Sequence, residues 1–358
     1  MPEIQSLTAL RGIAAIWIVL HHFWPQTSSA TPFLISKGYL AVDLFFILSG
    51  VVLYLVYSDA IRSHQFDFKR FALNRFARLY PVHFATMVIA ALILILGPKL
   101  GFAGRPAPYD FGKMILLHAT LLHAWGISET GGLNYPSWSL SAEAFGYALF
   151  PLLAFATLKM RFALAWSSIF LFSCMFFAQL YWPESQRNLE ENLVFTRLEN
   201  DLGALRIVPE FLLGLTIAKQ TRSGLNSPIW FICGVAMIVI GFGFNLDAMI
   251  VLSFAALIGS AVSANPKAPR ILRRMGQLSY CIYMTHALVQ IVGFKLIETL
   301  FLFKDGAVPV GFVIPLIAIT MLCAHGMHIW CEGPARLWIL SVSTSKSVQP
   351  KASRFSPM

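Results

Sequence analysis

Long apolar runs separated by short polar stretches set the pattern of this chain. The runs fall at 7–24, 38–57, 79–97, 140–158, 162–182, 202–218, 228–244, 247–264, 278–302 and 309–330. Each is about as long as a helix needs to cross the hydrocarbon of a bilayer, roughly 17–25 residues. One further apolar piece, 112–126, is short for that task. Inside lipid the backbone must satisfy its own hydrogen bonds, so such runs predict helices. The expected fold is all-α: a polytopic transmembrane bundle of about ten spanning helices plus one short re-entrant or interfacial segment.

Loop charge orients the spans. The stretch 58–78 carries Arg62, Lys69, Arg70, Arg75 and Arg78, and the stretch 265–277 carries Lys267, Arg270, Arg273 and Arg274. Lys159 with Arg161, and Lys219 with Arg222, mark two more basic turns, whereas 183–201 holds Glu184, Glu190, Glu191, Glu199 and Asp201. Cytoplasmic loops are enriched in Lys and Arg. A full crossing by 112–126 would put the 159–161 turn outside, against its charge. A non-crossing 112–126 places every basic loop inside and both termini in the cytoplasm.

Composition narrows the class. Of 358 residues 57% are hydrophobic and 12% charged, and the net charge of +10 lies in loops between spans, so it indicates orientation and not nucleic acid. The first span carries Arg11 within its apolar run and lacks a small-residue cleavage site, unlike a signal peptide. Residues 1–340 read as one transmembrane domain and 341–358 as a polar, Ser-rich, disordered cytoplasmic tail, with no soluble domain appended. Cys174, Cys233, Cys281, Cys323 and Cys331 are scattered without CxxC spacing and read as small buried hydrophobes. His118 and His123 are five apart with no carboxylate nearby, so no metal site is expected.

Several polar residues interrupt the apolar runs, where ionisable groups are costly. In the first span Arg11 and His22 are eleven residues apart. On a helix that is a rise of about 16 Å and a rotation of only about 20°, so they share a face at different depths. His21 points roughly 80° away from it. The plain alternative is an arginine snorkelling to one interface and a polar helix end at the other. Asp43 stands near the outer end of the second span, at the depth of His22, where it could pair with a histidine or an arginine or sit hydrated at the helix start. Ser49 and Gly50 are small, allowing a helix or ligand to approach. Arg75 and Arg78 share a face at i, i+3, as a headgroup anchor or a phosphate clamp. Ser137, Trp138, Ser139 and Ser141 lead from the outer side to Glu143, as a capping series or as a surface facing a sugar or orienting a histidine. Arg206 and Glu210, at i, i+4, can neutralise each other within a span. His286, Glu332 and Arg336 are polar without a role evident from spacing.

Together these segments resemble the acyltransferase-3 family of bacterial membrane O-acyltransferases over nearly the whole chain. The motifs are Arg11-x10-His22, the Phe45-Phe46-x-Leu48-Ser49-Gly50 run, the Arg-rich lead into Leu79-Tyr80-Pro81, Ser137-Trp138-Ser139-Leu140-Ser141-x-Glu143, the segment Ser279-Tyr280 to His286, and the closing Glu332-x-Pro334. The resemblance implies ten helices, in agreement with the count from loop charge. It implies transfer of an acyl group, commonly acetyl, from cytoplasmic acyl-CoA to a hydroxyl of an extracytoplasmic or lipid-linked glycan such as exopolysaccharide or O-antigen. The setting would be the bacterial cytoplasmic (inner) membrane, and the chain looks like the stand-alone type without a fused periplasmic domain. Acyl-CoA would be a donor substrate, with no bound cofactor; the other partners would be the glycan and membrane lipid.

On that resemblance His22 is the general base, with Glu143 or Asp43 orienting it. Arg11, Arg75 and Arg78 hold the donor's phosphates or arm, with Ser49 and Gly50 beside them. Ser137, Trp138, Ser141, Arg206, Glu210 and His286 are acceptor-facing or structural. Direct transfer and an acyl-histidine intermediate both fit these residues. The rival classes are a transporter or flippase for an anionic substrate, which favours inverted repeats with broken helices, and a non-catalytic partner of a glycan-synthesis complex, which does not require the spaced Arg11 and His22. No clear internal repeat is evident.

Overall fold

A computed structural model describes residues 3–100, 110–127, 133–181, 203–303 and 308–345. The acidic 183–201 loop and the tail from residue 346 on lie outside these residues. The described residues fold into helices: α1 (Gln5–Phe23), α2 (Phe33–Ser36), α3 (Ala41–Arg62), α4 (Phe68–Leu96), α5 (Phe111–Ala119), α6 (Ser137–Lys159), α7 (Ala163–Tyr181), α8 (Gly203–Arg222), α9 (Ser227–Gly243), α10 (Asp247–Ala264), α11 (Arg270–Phe301) and α12 (Val313–Met327). A π-helical turn, His328–Glu332, joins α12 to α13 (Gly333–Ser345). Among the described residues seven stretches are long and apolar enough to cross a membrane by themselves. The outward-facing surface is apolar, as a lipid-facing wall requires: Ile232, Val239 and Leu322 are 65–71% exposed.

Each of the ten expected spans corresponds to a helix, but two start well before their apolar windows. The Arg-rich lead-in is itself the first part of α4, whose N-cap Asp67 accepts from the Arg70 N–H at 3.1 Å. The helix then runs through Pro81. Likewise α11 begins at Arg270, so its basic residues sit on a continuous helix.

Contacts fix the directions of the helices. Asp43 meets Arg206 near the starts of α3 and α8, and Asp59 meets Arg222 near their ends, so these two are parallel. Lys219 Nζ donates to the Thr157 and Met160 carbonyls at 2.7 Å, which aligns the end of α6 with that of α8. In contrast α4 runs against α6: Phe71 stacks on Phe150, Arg75 lies over Tyr147, and Arg78 shares a cavity with Glu143. The chain between α4 and α6 therefore returns to the end it left, and α5, nine residues long, does not cross. This is the arrangement that loop-charge parity required. The basic turns collect at one end of the bundle; His22 lies toward the other.

Two glycine crossings set the closest approaches. A Cβ on Gly276 would stand 1.7 Å from the Thr8 carbonyl oxygen, and one on Gly12 would lie 2.8 Å from the Gly276 nitrogen. Likewise a Cβ on Gly50 would meet the Phe211 oxygen at 2.3 Å, and one on Gly214 the Ile47 oxygen at 2.2 Å. Small residues of this kind let membrane helices touch backbone to backbone. The cysteines correct the expectation in part: Cys281 is buried, Cys174 and Cys331 are half-buried, and Cys233 and Cys323 are exposed on the lipid-facing surface, where a thiol is as compatible with hydrocarbon as in a core.

Candidate active site

The crossing of α1 and α11 determines what His22 meets. Gly12 and Gly276 are the contact point of two roughly parallel helices. Ten residues further along each stand His22 and His286. Their ring centroids are 5.0 Å apart with the planes inclined by 23°, and the rings meet edge to edge, His286 Nε2 lying 3.0 Å from His22 Nδ1. Behind them Gln290 Nε2 donates to the His22 carbonyl at 2.6 Å, and Tyr135 OH donates to Gln290 Oε1 at 2.6 Å. The Tyr135 ring lies edge-on to His22, 4.9 Å between centroids. His21 turns away, with its Nδ1 3.1 Å from the Ile35 carbonyl and its Cβ against Gly38. The one-face argument for Arg11 and His22 thus selects the histidine that faces the bundle.

Among the described residues neither Asp43 nor Glu143, nor any other carboxylate, is hydrogen-bonded to His22, which corrects the expectation for both. Asp43 forms a buried ion pair with Arg206, with Oδ2 accepting from Nη2 at 2.8 Å and Oδ1 from Nε at 3.3 Å. Arg206 lies over the Trp138 ring, 5.0 Å from its centroid. Among the described residues both Glu210 oxygens are buried without a hydrogen-bond partner, so the hydrogen bonds seen for Arg206 go to Asp43. Sequence spacing favoured the i, i+4 partner, whereas the α3–α8 crossing brings Asp43 closer.

Glu143 belongs to a half-open cavity between α1, α3, α4, α6 and α11. Its polar walls are Arg11, Ser49, Arg78, Ser139, Glu143 and Ser279 with Tyr280 and Tyr283, and Phe45, Phe46, Leu79 and Met284 supply apolar surface. Ser49 Oγ and Tyr147 OH both donate to Glu143 Oε1, at 2.7 and 2.5 Å, leaving Oε2 engaged by neither. The Tyr147 ring also supports Arg75, whose guanidinium carbon is 5.9 Å from the ring centroid. A second cavity, nearer the basic end, lies between α1 and α3 among Glu3, Leu7, Thr8, Leu55 and Val56. Arg11 lines both cavities and so stands where they meet.

The remaining sequence candidates are placed elsewhere. Gly50 packs on α8 and lines neither of these two cavities. Ser137 Oγ is bonded to His123 Nε2 at 3.1 Å, and Ser141 Oγ ties the Leu121 carbonyl and the Ala124 N–H to α6. Trp138 fills the space between Arg206 and Phe46. Of the serine series it is Ser139 that reaches the cavity, donating to Tyr283 OH at 2.8 Å. Sequence reasoning missed Tyr147, Tyr283 and Gln290; Tyr147 was findable, being one helical turn beyond Glu143. Three potential metal-ligating groups also meet across α11 and the π-turn: Glu332 Oε2 accepts from His328 Nδ1 at 2.7 Å and from Cys281 Sγ at 3.3 Å. They satisfy one another, and they were unreadable from sequence because Cys281 lies on a different helix.

Fold and site together define a polytopic membrane protein with a charged cavity whose Tyr283 wall adjoins a histidine pair, one member half-buried and the other buried. Residues 4–327 match the family model described as an acyltransferase domain, and the chain belongs to that family. It is similar to the acyltransferase MdmB of Streptomyces mycarofaciens, 26% identical over 82% of this chain and 81% of that protein. It is also similar to the O-acetyltransferase OatA of Staphylococcus aureus, 25% identical over 93% of this chain but only 57% of that protein's length. No solved structure matches the chain. The protein is a membrane-embedded acyltransferase.

Proposed function

We propose that the protein transfers an acyl group, most simply acetyl, from acyl-CoA entering at the basic end to a hydroxyl presented at the opposite end, on an extracytoplasmic or lipid-linked glycan. One observation carries this reading: Arg11, at the junction of two cavities, and His22, paired beyond them, lie on one face of one helix about 16 Å apart. CoA is bulky and anionic at one end and thin along its pantetheine arm. Arg11, Arg75 and Arg78 against Glu143 leave two net positive charges in and beside the cavity, which suits an anionic ligand in a low-dielectric site. The arm is then drawn along apolar walls toward His22.

At the histidine pair the acceptor hydroxyl gives its proton to His22 as its oxygen attacks the thioester carbonyl. The carbon–sulfur bond breaks as the intermediate collapses, and the proton on His22 passes to the leaving CoA sulfur. The products are the O-acyl ester and free CoA. Ser139 and Tyr283, at the cavity end nearest the histidines, are in place to position the arm. The basic end is assigned to the cytoplasm by the excess of Lys and Arg there, with both termini on that side of a bacterial inner membrane. Mass analysis of the host's surface glycans with and without the gene tests the reading. Loss of an acetyl increment from a defined sugar supports it; an unchanged acylation pattern across all glycan fractions would contradict it.

A further inference from the structure

We propose that His286 is the positioning residue that holds His22 in the tautomer carrying its proton on Nδ1, leaving Nε2 as the basic atom. This inference rests on the transfer reading above and assigns the partner of its base. The argument is one of proton counting along a chain of hydrogen bonds. His286 Nδ1 lies 2.6 Å from the Tyr283 carbonyl oxygen. A carbonyl has no proton to give, so His286 Nδ1 carries the hydrogen. In the neutral ring Nε2 is then a lone pair, and it stands 3.0 Å from His22 Nδ1. That bond needs exactly one proton between its two nitrogens, and it must come from His22. With Nδ1 protonated, the neutral His22 ring has its only lone pair on Nε2.

The position of the pair on the helices makes this setting rigid. The Gly12–Gly276 crossing fixes the spacing of α1 and α11, and Gln290, one turn beyond His286, clamps the His22 backbone carbonyl. His286 itself is fully buried. The groups facing His22 are His21 on its own helix, His286 and Gln290 on α11, and Tyr135 ahead of α6. Among the described residues none of these is a carboxylate. A neutral imidazole therefore does here what an acid does in a hydrolase triad: it selects the tautomer and ring orientation. When His22 takes the hydroxyl proton on Nε2, its Nδ1–H still has an acceptor in His286 Nε2, so the cation formed in the reaction keeps its partner.

The test uses full-length protein in lipid nanodiscs, with hydrolysis of acetyl-CoA to acetate and CoA as the readout and water standing in for the acceptor hydroxyl. Gln can place an amide oxygen where His286 Nε2 accepts; Leu fills the volume without an acceptor. Turnover by His286→Gln should stay within about tenfold of the parent, while His286→Leu should fall about a hundredfold or more, the scale of lost base catalysis. Acetyl-CoA affinity should be unchanged in both. Equal turnover in the two variants would overturn the proposal, as would equal loss in two folded proteins. Nitrogen-15 NMR of histidine-labelled parent protein, assigned with His22→Ala, decides independently of turnover and of whether His286→Leu folds. A protonated Nδ1 and bare Nε2 on His22 support the inference, and the opposite tautomer overturns it. Absence of any transfer by a parent protein with the expected tautomer would sink the transfer reading and leave the tautomer assignment standing.

Discussion

Asp43 separates structural from catalytic roles most sharply, because the sequence placed it in the machinery and the structure pairs it with Arg206. The two charges are fully buried and 2.8 Å apart at their closest atoms. At an effective dielectric constant of about 20, unit charges at that range attract by about 4–6 kcal/mol. Both ions are desolvated, and that cost offsets much of the attraction. Removing one partner keeps the other's desolvation cost and loses the attraction, so Asp43→Asn or Arg206→Met should each destabilise the fold by about 3–5 kcal/mol. The double variant Asp43→Asn with Arg206→Met removes both charges and should recover most of that loss, so the coupling energy in the cycle should exceed either single loss, at least about 3–5 kcal/mol. Thermal unfolding in nanodiscs reads stability, and acetyl-CoA hydrolysis at a temperature where all variants are folded reads chemistry. The double variant should regain activity together with stability. A stable double variant with no turnover would return Asp43 to the chemistry and refute the structural assignment.

Gly276→Ala places a methyl 1.7 Å from the Thr8 oxygen and should cost at least about 1–3 kcal/mol of stability, whereas Gly112→Ala, with nothing within 4 Å in α5, should be neutral or gain up to about 1 kcal/mol; the same unfolding assay compares them. Arg78→Ala should weaken acetyl-CoA binding by about 1–3 kcal/mol through the lost charge-assisted bond, measured by calorimetry, and undiminished affinity would make Arg78 a headgroup anchor. A cysteine at Lys267 should resist a membrane-impermeant thiol reagent applied to intact cells, and one at Glu190 should react; labelling at Lys267 would invert the assigned orientation.

What the sequence made legible is what repeats locally along one helix. The apolar runs marked the helices, loop charge implied that 112–126 does not cross, and an eleven-residue spacing put Arg11 and His22 on one face. What it concealed is what neighbouring helices bring together. Asp43 finds Arg206 and not a histidine because the Gly50–Gly214 contact sets the α3–α8 register. His286 finds His22 because Gly12 and Gly276 set that of α1 and α11. Those registers depend on which small residues meet across helices, and in lipid no alternation of polar and apolar faces points to them. Helix starts were missed for a simpler reason: basic residues such as Arg70 and Arg273 are already helical before the apolar stretch begins.

The central claim is that one helix face binds the donor at Arg11 and activates the acceptor at His22. Acetyl-CoA affinity and acetyl-CoA turnover measured side by side on His22→Ala, with His21→Ala as its neighbour control, test that division directly. The account predicts that His22→Ala binds acetyl-CoA with the parent's affinity and turns over at least about a hundredfold more slowly, while His21→Ala retains substantial turnover. Near-parent turnover by His22→Ala, or loss confined to His21→Ala, would contradict it.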